Sequence, residues 1–515
     1  MTKKLIALFL ALVTCFGVLA GCKPDIDGID GAQLEIVVVY QDGVDHNNCY
    51  TTKMVETHLG CDLKYLELDD FGTTYVAQLT DGVAPDLTWY SGYTATYEQY
   101  GMDGAYINIL DHLDKMPNVK KVLDQHPEMV ERYRATDGGL YVLPQVQYGG
   151  SAEGLAYLYR EDIFAELNLT WPTNQADFEA TLRALKAAYP NSTPFTMRNL
   201  TGNIQAAQNW GFLWGASHVG AGNYNTIFML DENGNYVCAE TSLAYKEMGQ
   251  YLQYLRKEKL LDASSYTHTT QTWTEALASN RAFITYDKVD RLPQLNYAGK
   301  AANGDSFQLI AGLPFNMGTH ASKTDKVYTS WGNTDGGTGF WFIGNNKNLN
   351  ATLEYIDWTY SEEGYTMLNW GVKGESYDID ENGKKYFLPS FMSEYGTLLN
   401  AGLNYDTLGG NWDYEAFLAT ADEKLVQSLA VGQAYQRTNP VKQQQLKYNK
   451  EERRAWDSYY QAHVAYARAE WLKCVIGQRT WNSFDNLNNE LVNKYHQNDL
   501  MKIHYSALAR AKGGN

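Results

Sequence analysis

A chain of 515 residues is too long for one small hydrophobic core, so two or three lobes are expected. Its 44% hydrophobic and 13% aromatic residues exclude an intrinsically disordered protein. The formal net charge of −18 repels nucleic acid and anionic lipid headgroups; it suits a neutral or cationic ligand, or simply keeps an exposed protein soluble.

The N-terminus has the pattern of an export signal. Lys3 and Lys4 precede a short apolar run that ends in Leu-Ala-Gly-Cys at 19–22. This ending resembles the bacterial lipobox, which implies acylation of Cys22. We therefore predict a lipoprotein signal peptide over 1–21, a lipid-anchored tether over 22–32, and a body at the extracellular face of the cell membrane.

Strands and helices alternate in the first part of the mature chain. "LEIVVVY" at 34–40 predicts a buried strand, "TTYVAQLTDGV" has helical spacing, and "PDLTWY" at 85–90 predicts a later strand. This alternation predicts a parallel sheet covered by helices on both faces, in which ligands bind beyond the carboxyl ends of strands. Three aromatic residues lie at such a strand end and are therefore candidates for binding the ligand: Trp89, Tyr90 and Tyr93.

Turn and cap signals mark the later elements. "LDENGNYV" and "DIDENGKKYFLP" each carry Asn-Gly between extended runs, which predicts two hairpins. Their acidic residues loosely resemble a calcium loop, but the ligand spacing is wrong and hairpin turns are favoured. Thr173 or Asn174 is expected to cap a helix, and helical patterns dominate from Asn348 onward.

The cysteines leave one alternative open. Export permits a disulfide between Cys49 and Cys61 across the first helix. Buried free thiols are the favoured interpretation for these two and for Cys238 and Cys474.

The chain lacks the familiar catalytic motifs. It has no HExxH and no Walker A loop, and "GASHVG" misses the nucleophile-elbow pattern. Its ten histidines form no ligand cluster, so no metal and no cofactor are predicted. No pair of carboxylates stands out as the pair that a glycosidase needs. We therefore predict that the protein is not an enzyme.

A series of segments carries a family resemblance. "APDL", "DGGLYVLP", "LAYLYREDIFAELNL", "ASNRAFITYD" and the stretch 354–387 resemble, in this order, extracellular solute-binding proteins of family 1. These are carbohydrate receptors of ABC importers in Gram-positive bacteria. The resemblance implies an α/β fold of the type 2 periplasmic-binding-protein kind. In it, two lobes, each a mainly parallel sheet flanked by helices, close around a ligand in the cleft between them. The stretch 400–450 departs from the pattern.

The order of these segments gives expected domain boundaries. Lobe 1 is expected over 33–147 plus 285–343, and lobe 2 over 148–284 plus 344–515. The crossings between lobes are expected near Gln147-Tyr148, Ile284-Thr285 and Gly344.

Sugar recognition explains why aromatic residues in Gly- and Asn-rich stretches are of interest. Aromatic planes cover the C–H faces of sugars, while charged and amide groups bind their hydroxyls. A surface ion pair is the alternative explanation for the two charged residues at 287 and 291. The predicted ligand-binding residues are Trp89, Tyr90, Tyr93, Tyr148, Trp210, Trp214, Asp287, Arg291, Trp331, Asn333, Trp370, Glu375, Tyr377 and Trp412.

These observations predict a lipid-anchored receptor that binds a mono- or oligosaccharide and passes it to the permease subunits of an ABC importer. The lipid on Cys22 is its expected contact with the membrane, a monomer is expected, and no nucleic acid partner is expected. A peptide-type receptor and a secreted glycosidase remain as alternatives.

Overall fold

The computed structural model describes residues 28–39, 44–68, 73–90, 95–148, 154–198, 209–216, 228–230, 235–321, 327, 330–331, 339–405, 411–437 and 446–511. The strands in chain order are β1 (Gln33–Val39), β2 (Asp62–Glu67), β3 (Leu87–Tyr90), β4 (Leu143–Pro144), β5 (Val146–Tyr148), β6 (Leu155–Arg160), β7 (Phe228–Leu230), β8 (Tyr236–Cys238), β9 (Ile284–Lys288), β10 (Leu309–Gly312), β11 (Ser330–Trp331), β12 (Phe340–Ile343), β13 (Tyr377–Ile379), β14 (Lys385–Phe387), β15 (Asn411–Asp413) and β16 (Gln436–Arg437).

Helices cover most of the remaining described chain. They are α1 (Tyr50–Leu59), α2 (Thr73–Thr80), α3 (Ala95–Met102), α4 (Pro117–Gln125), α5 (Pro127–Tyr133), α6 (Glu161–Glu166), α7 (Gln175–Ala188), α8 (Leu243–Lys257), α9 (Thr270–Ala278), α10 (Leu292–Asn303), α11 (Gly318–Ala321), α12 (Leu349–Thr359), α13 (Glu362–Trp370), α14 (Pro389–Tyr395), α15 (Leu398–Ala401), α16 (Tyr414–Leu418), α17 (Glu423–Ala434), α18 (Lys450–Ile476), α19 (Trp481–Phe484), α20 (Leu487–Lys494) and α21 (Gln497–Ala511). Short 3₁₀ helices cover Ile109–His112, Phe212–Trp214, Ala239–Thr241, Ala263–Tyr266 and Val289–Arg291.

Local sequence signals explain several of these boundaries. Asn174 caps α7 by accepting a hydrogen bond from the Asp177 backbone N–H, which confirms the predicted cap. Asn449 and Glu452 form a capping box at the start of α18, and Gly477 ends that helix with φ +84°. Strands β13 and β14 pair antiparallel, as do β7 and β8, so both predicted hairpins are confirmed.

The first sheet has the strand order β2-β1-β3-β12-β4. Strands β1, β2 and β3 are parallel, whereas β12 runs antiparallel to both β3 and β4. Leu34, Ile36, Val37 and Val38 of β1 are at most 1% exposed, as expected for a strand covered on both faces.

The second sheet has the order β10-β6-β9, and both of its pairings are antiparallel. Phe195 adds isolated parallel bridges to Leu261 and Ile284. The expectation of a mainly parallel sheet in each lobe is therefore wrong for these three strands. Alternation of strands and helices does not encode strand direction when the chain enters and leaves a lobe through crossings.

The chain passes between the two sheets several times. The first passage from β4 in the first sheet to β6 in the second begins with β5, which contains Gln147 and Tyr148. The return lies between β10 and β12. A third passage leads from α15 through β15 to α17, whose Leu425 and Leu429 pack against Leu158 of the second sheet.

Two predicted lobe boundaries differ from the structure. The crossing expected at Ile284-Thr285 falls inside β9, which pairs with β6 along its length, so 285–321 belongs with the second sheet. Helix α12, expected in lobe 2, packs its Leu353, Tyr355 and Ile356 into the core of the first sheet. Both assignments depend on contacts across the fold, which the order of segments does not contain.

Cys49, Cys61, Cys238 and Cys474 are buried free thiols, so Cys49 and Cys61 form no disulfide here. Within the described residues, no helix combines the length and the apolar character needed to cross a bilayer.

Candidate functional site

Two strands from different passages lie side by side where the lobes are connected. Strand β5 belongs to the first crossing and β15 to the third, and they pair in parallel. The register places Asp413 opposite Tyr148 and Trp412 opposite Gln147. The connection between the lobes is thus also a place where aromatic and acidic residues meet.

A cavity of about 420 Å³ opens beside this pair of strands. It is bounded by the crossing strands, helix α13, the β13–β14 hairpin and the start of α16. The lining residues are Tyr148, Tyr365, Trp370, Lys384, Lys385, Asp413 and Glu415. This volume lies in the range of small-molecule binding sites in proteins.

Aromatic rings form one wall of the cavity. Tyr148 and Tyr365 meet edge to face, with ring centroids 5.0 Å apart. Trp370 stacks on Phe387, with centroids 5.0 Å apart and planes 16° apart. Burial raises the pKa of Tyr148, and burial together with the nearby Asp413 carboxylate raises that of Tyr365. Both hydroxyls therefore stay protonated and can donate hydrogen bonds at neutral pH.

Asp413 is the buried anchor of this wall. Its Oδ2 accepts a hydrogen bond from Trp370 Nε1 at 2.7 Å, and its Oδ1 accepts one from the Glu415 backbone N–H at 2.9 Å. The second contact makes Asp413 the N-cap of α16. Its carboxylate is thus held by the chain itself.

The hairpin contributes positive charge beside the aromatic wall. Lys385 Nζ lies 5.3 Å from the Trp370 ring centroid and 5.7 Å from that of Tyr377, in cation–π contact with both. Lys384 and Glu415 are exposed side chains at the rim. Aromatic faces bordered by charged groups can stack on a ring-shaped ligand and bind hydroxyl groups at its edge.

A second polar cluster lies at the carboxyl end of β9 in the other lobe. Arg198 donates to both oxygens of Asp287, at 2.6 and 3.1 Å, and Arg291 Nε lies 3.5 Å from Asp287 Oδ1. Burial alone would raise the pKa of Asp287, but the two guanidinium groups outweigh it and hold the pKa below its ordinary value. Asp287 therefore serves as the counter-ion that orients two arginines.

Three of the aromatic residues that were predicted to bind the ligand lie in hydrophobic cores. Trp89, Trp210 and Trp214 are 0% exposed. Trp89 is a residue of β3 itself rather than of a loop beyond it, and it packs edge to face on Trp341. Trp210 meets Trp214 edge to face and donates from Nε1 to the Tyr157 hydroxyl. Their rings present no surface to a ligand in this structure.

The other predicted residues are divided between the cavity and its surroundings. Tyr148 and Trp370 line the cavity, whereas Trp412 is half-buried against Tyr414 and Phe417 on the side of the second sheet. Tyr90 is partly buried against the core of the first sheet, and Glu375 is exposed. Tyr377, the first residue of β13, is buried in one cluster with Trp370 and Phe387. The residues Tyr93 and Asn333, the side chain of Trp331 and the lipidation site Cys22 lie outside the described residues.

Several lining residues were not predicted, namely Tyr365, Lys384, Lys385, Asp413 and Glu415, and neither was Arg198. Asp413 carried a usable signal, since Asp directly before a helical run is a cap pattern. The lysines carried none, because "GKK" in a hairpin turn usually lies in solvent.

Among the described residues, no group of three or more His, Cys, Asp or Glu side chains is placed to hold a metal ion.

The described lobes and crossings define the two-lobed α/β fold of ABC-importer solute-binding proteins. Solved structures with this fold include the alginate-binding protein AlgQ2, with a TM-score of 0.75 at 22% identity over 93% of this chain and 98% of that one. They also include the Streptococcus pneumoniae ABC-transporter substrate-binding protein FusA in complex with kestose, with a TM-score of 0.70 at 18% identity over 93% and 99% of the two chains. The predicted α/β two-lobe fold is confirmed.

In sequence, the chain is 25% identical over 331 residues to the fructooligosaccharide ABC transporter substrate-binding protein FusA of Streptococcus pneumoniae serotype 4. The match spans 59% of this chain and only 56% of that relative. No protein-family model matches the chain. The predicted resemblance to carbohydrate receptors of ABC importers is nevertheless confirmed by both kinds of match.

Proposed function

We propose that the protein is the extracellular substrate-binding component of an ABC importer, and that it binds a mono- or oligosaccharide between its lobes without altering it. The observation that carries this proposal is the aromatic-walled cavity of about 420 Å³ beside the paired crossing strands. A ligand there touches groups from the first lobe and from the paired crossing strands β5 and β15, so it lies where the two lobes are connected.

The ligands of similar proteins support a saccharide. AlgQ2 is an alginate-binding protein, and FusA is a fructooligosaccharide ABC transporter substrate-binding protein that has been solved in complex with kestose. The lining of the cavity fits such ligands, because the half-buried rings of Tyr148 and Tyr365 offer apolar surface, while the two lysines and Glu415 offer hydrogen bonds at its rim. Arg198 and Arg291, oriented by Asp287, are proposed to contribute hydrogen bonds from the second lobe.

The arrangement of Asp413 speaks against a glycosidase. Asp413 and Glu415 both line the cavity, as an acid–base pair would. Asp413, however, is only 6% exposed, and its two oxygens already accept from the Trp370 indole and from the α16 backbone. A carboxylate held in this way is not free to attack or to activate water, so we assign it a structural part in binding.

Attachment to the membrane is part of the same proposal. Acylation of Cys22 and a short tether would keep the receptor near the permease subunits, and a monomer suffices for this role. The tether is shorter than the predicted 22–32, because Ile29 is 1% exposed in the core of the first sheet. Lipid attachment is tested by mass spectrometry of the mature protein, with Cys22→Ala as the unmodified control.

The proposed binding is tested with a panel of neutral and charged oligosaccharides, read by tryptophan fluorescence and by product analysis. Saturable fluorescence change with no released products is the expected result. Released sugar would establish a glycosidase instead, and a response to peptides but to no saccharide would establish a peptide receptor.

A further inference from the structure

Asp413 lies where three parts of the cavity meet. It is the last residue of β15, directly opposite Tyr148 in the crossing ladder, and the cap of α16. Its backbone is fixed too, because its N–H donates to Asn404 Oδ1 at 2.9 Å and its carbonyl accepts from Asn404 Nδ2 at 3.0 Å.

The Asp413 carboxylate also interacts with two residues of the aromatic wall. Its Oδ2 holds the Trp370 indole at 2.7 Å, and its charge lies close enough to Tyr365 to contribute to the raised pKa of that hydroxyl. Hydrogen bonds to an ionised carboxylate are shorter and stronger than those between neutral groups. A ring held by such a bond keeps its orientation before ligand arrives, which lowers the entropy lost on binding.

We propose that Asp413 is a positioning residue for saccharide binding, because it locks the rings of Trp370 and Tyr365 in register with Tyr148 on the crossing strand. This inference rests on the proposed function and names a residue through which the site acquires its affinity. Asp413 acts through the rings and needs no contact of its own with the ligand.

Asp413→Asn is the informative substitution. Asparagine caps helices as well as aspartate does, so α16 keeps its cap. With the amide oxygen used for that cap, the amide N–H₂ faces the Trp370 indole N–H and the acceptor is lost. We expect the saccharide Kd to rise about tenfold or more, in line with the loss of a hydrogen bond to a charged group. The indole N–H resonance of Trp370, assigned with Trp370→Phe, should move upfield.

The control and the coupling partner separate positioning from general stability. Asp378→Asn changes a carboxylate on β13 that lies 3.9 Å from Lys373 in a largely exposed pair, and its Kd should stay within about twofold of the wild-type value. Trp370→Phe keeps a ring on Phe387 but has no N–H. If Asp413 acts through Trp370, the double variant should bind within about twofold of the weaker single variant.

The outcomes distinguish this inference from the function on which it rests. A wild-type chain that binds no saccharide overturns the proposed function, and this inference with it. A wild-type chain that binds, together with an Asp413→Asn variant of unchanged Kd, overturns the positioning role alone, as does full additivity with Trp370→Phe. Should the asparagine variant fail to fold, Asp413→Ser, which keeps a capping oxygen too short to reach the indole, is measured against the same criteria.

Discussion

Two groups of aromatic residues in this molecule look alike in sequence and differ in structure. Trp210 and Trp214 of "NWGFLWG" are closed inside the second lobe, with 0% exposure. Tyr148, which precedes two glycines, and Trp412 of "GGNWDY" are half-buried on the paired crossing strands. The difference teaches that the packing around a residue, rather than its flanking glycines, decides whether its ring is closed inside a core or stays half-buried.

The strongest expected effect lies in the closed group. Trp210→Ala should lower the free energy of unfolding by about 3–5 kcal/mol, because it empties a space shared with Trp214, Phe195 and Tyr251. Urea denaturation measures the change. Affinity of the folded protein for saccharide should stay within about twofold, since the ring lies away from the cavity lining. A large loss of saccharide affinity with an unchanged free energy of unfolding would instead show that Trp210 serves binding rather than the core.

A third aromatic group, formed where β7 and β8 pack against the C-terminal helix α21, extends the comparison to stability in acid. His504 of α21 is 1% exposed among Phe228, Tyr236 and Tyr505, and burial lowers its pKa from 6.5 to about 4. Below pH 6.5 the unfolded chain takes up a proton there and the folded chain does not. The free energy of unfolding should therefore fall by up to about 3 kcal/mol as the pH drops towards 4.

The histidine contribution is measured by denaturation at a series of pH values. His504→Phe should flatten the loss of stability between pH 6.5 and 4. Substitution of His126, which is partly exposed beside Glu128, with Gln is the surface control for loss of an imidazole. An unaltered slope in the His504 variant would assign acid sensitivity to other groups.

The open group should show the opposite balance from Trp210. Tyr148→Ala should weaken saccharide binding about tenfold, or about 1–2 kcal/mol, by removing a ring from the cavity wall. Its stability cost should be smaller than that of Trp210→Ala, because Tyr148 is only half-buried. Isothermal titration gives the affinity. Tyr386→Ala, an exposed ring on the same hairpin as Lys385, is the matched control and should change neither quantity.

The smallest expected effect lies at the rim. Lys385→Ala removes a cation–π contact with Trp370 and Tyr377, and should change the saccharide Kd by up to about fivefold, corresponding to about 0.5–1 kcal/mol. Lys373→Ala, which breaks only a largely exposed pair with Asp378, should leave the Kd unchanged. Equal effects of the two substitutions would show that long-range charge, rather than contact, matters there.

Local patterns predicted the elements well and the lobes less well. The β1 strand, the Asn174 cap and the β13–β14 hairpin depend on neighbours in sequence, and the structure confirms them. The burial of the Trp89 side chain could not be predicted, because a shift of one residue in the register of β3 would move it to the other face of the sheet. The pairing of β9 with β6 likewise depends on a contact between residues more than 120 positions apart.

The candidate site was only partly predictable for the same reason. Tyr148 and Trp370 were chosen for their residue type and setting, and they line the cavity. Tyr365 lies on a helix whose sequence has only an ordinary amphipathic pattern. Asp413 joins the wall only because β15 pairs with β5. Such convergence of distant segments leaves no signature in any single stretch of sequence.

A crystal structure of the protein with a bound oligosaccharide tests the central claim most directly. The account predicts a sugar ring in van der Waals contact, about 4 Å, with the rings of Tyr148 and Tyr365, and with both lobes touching the ligand. A saccharide bound elsewhere, with this cavity filled only by water, would contradict it.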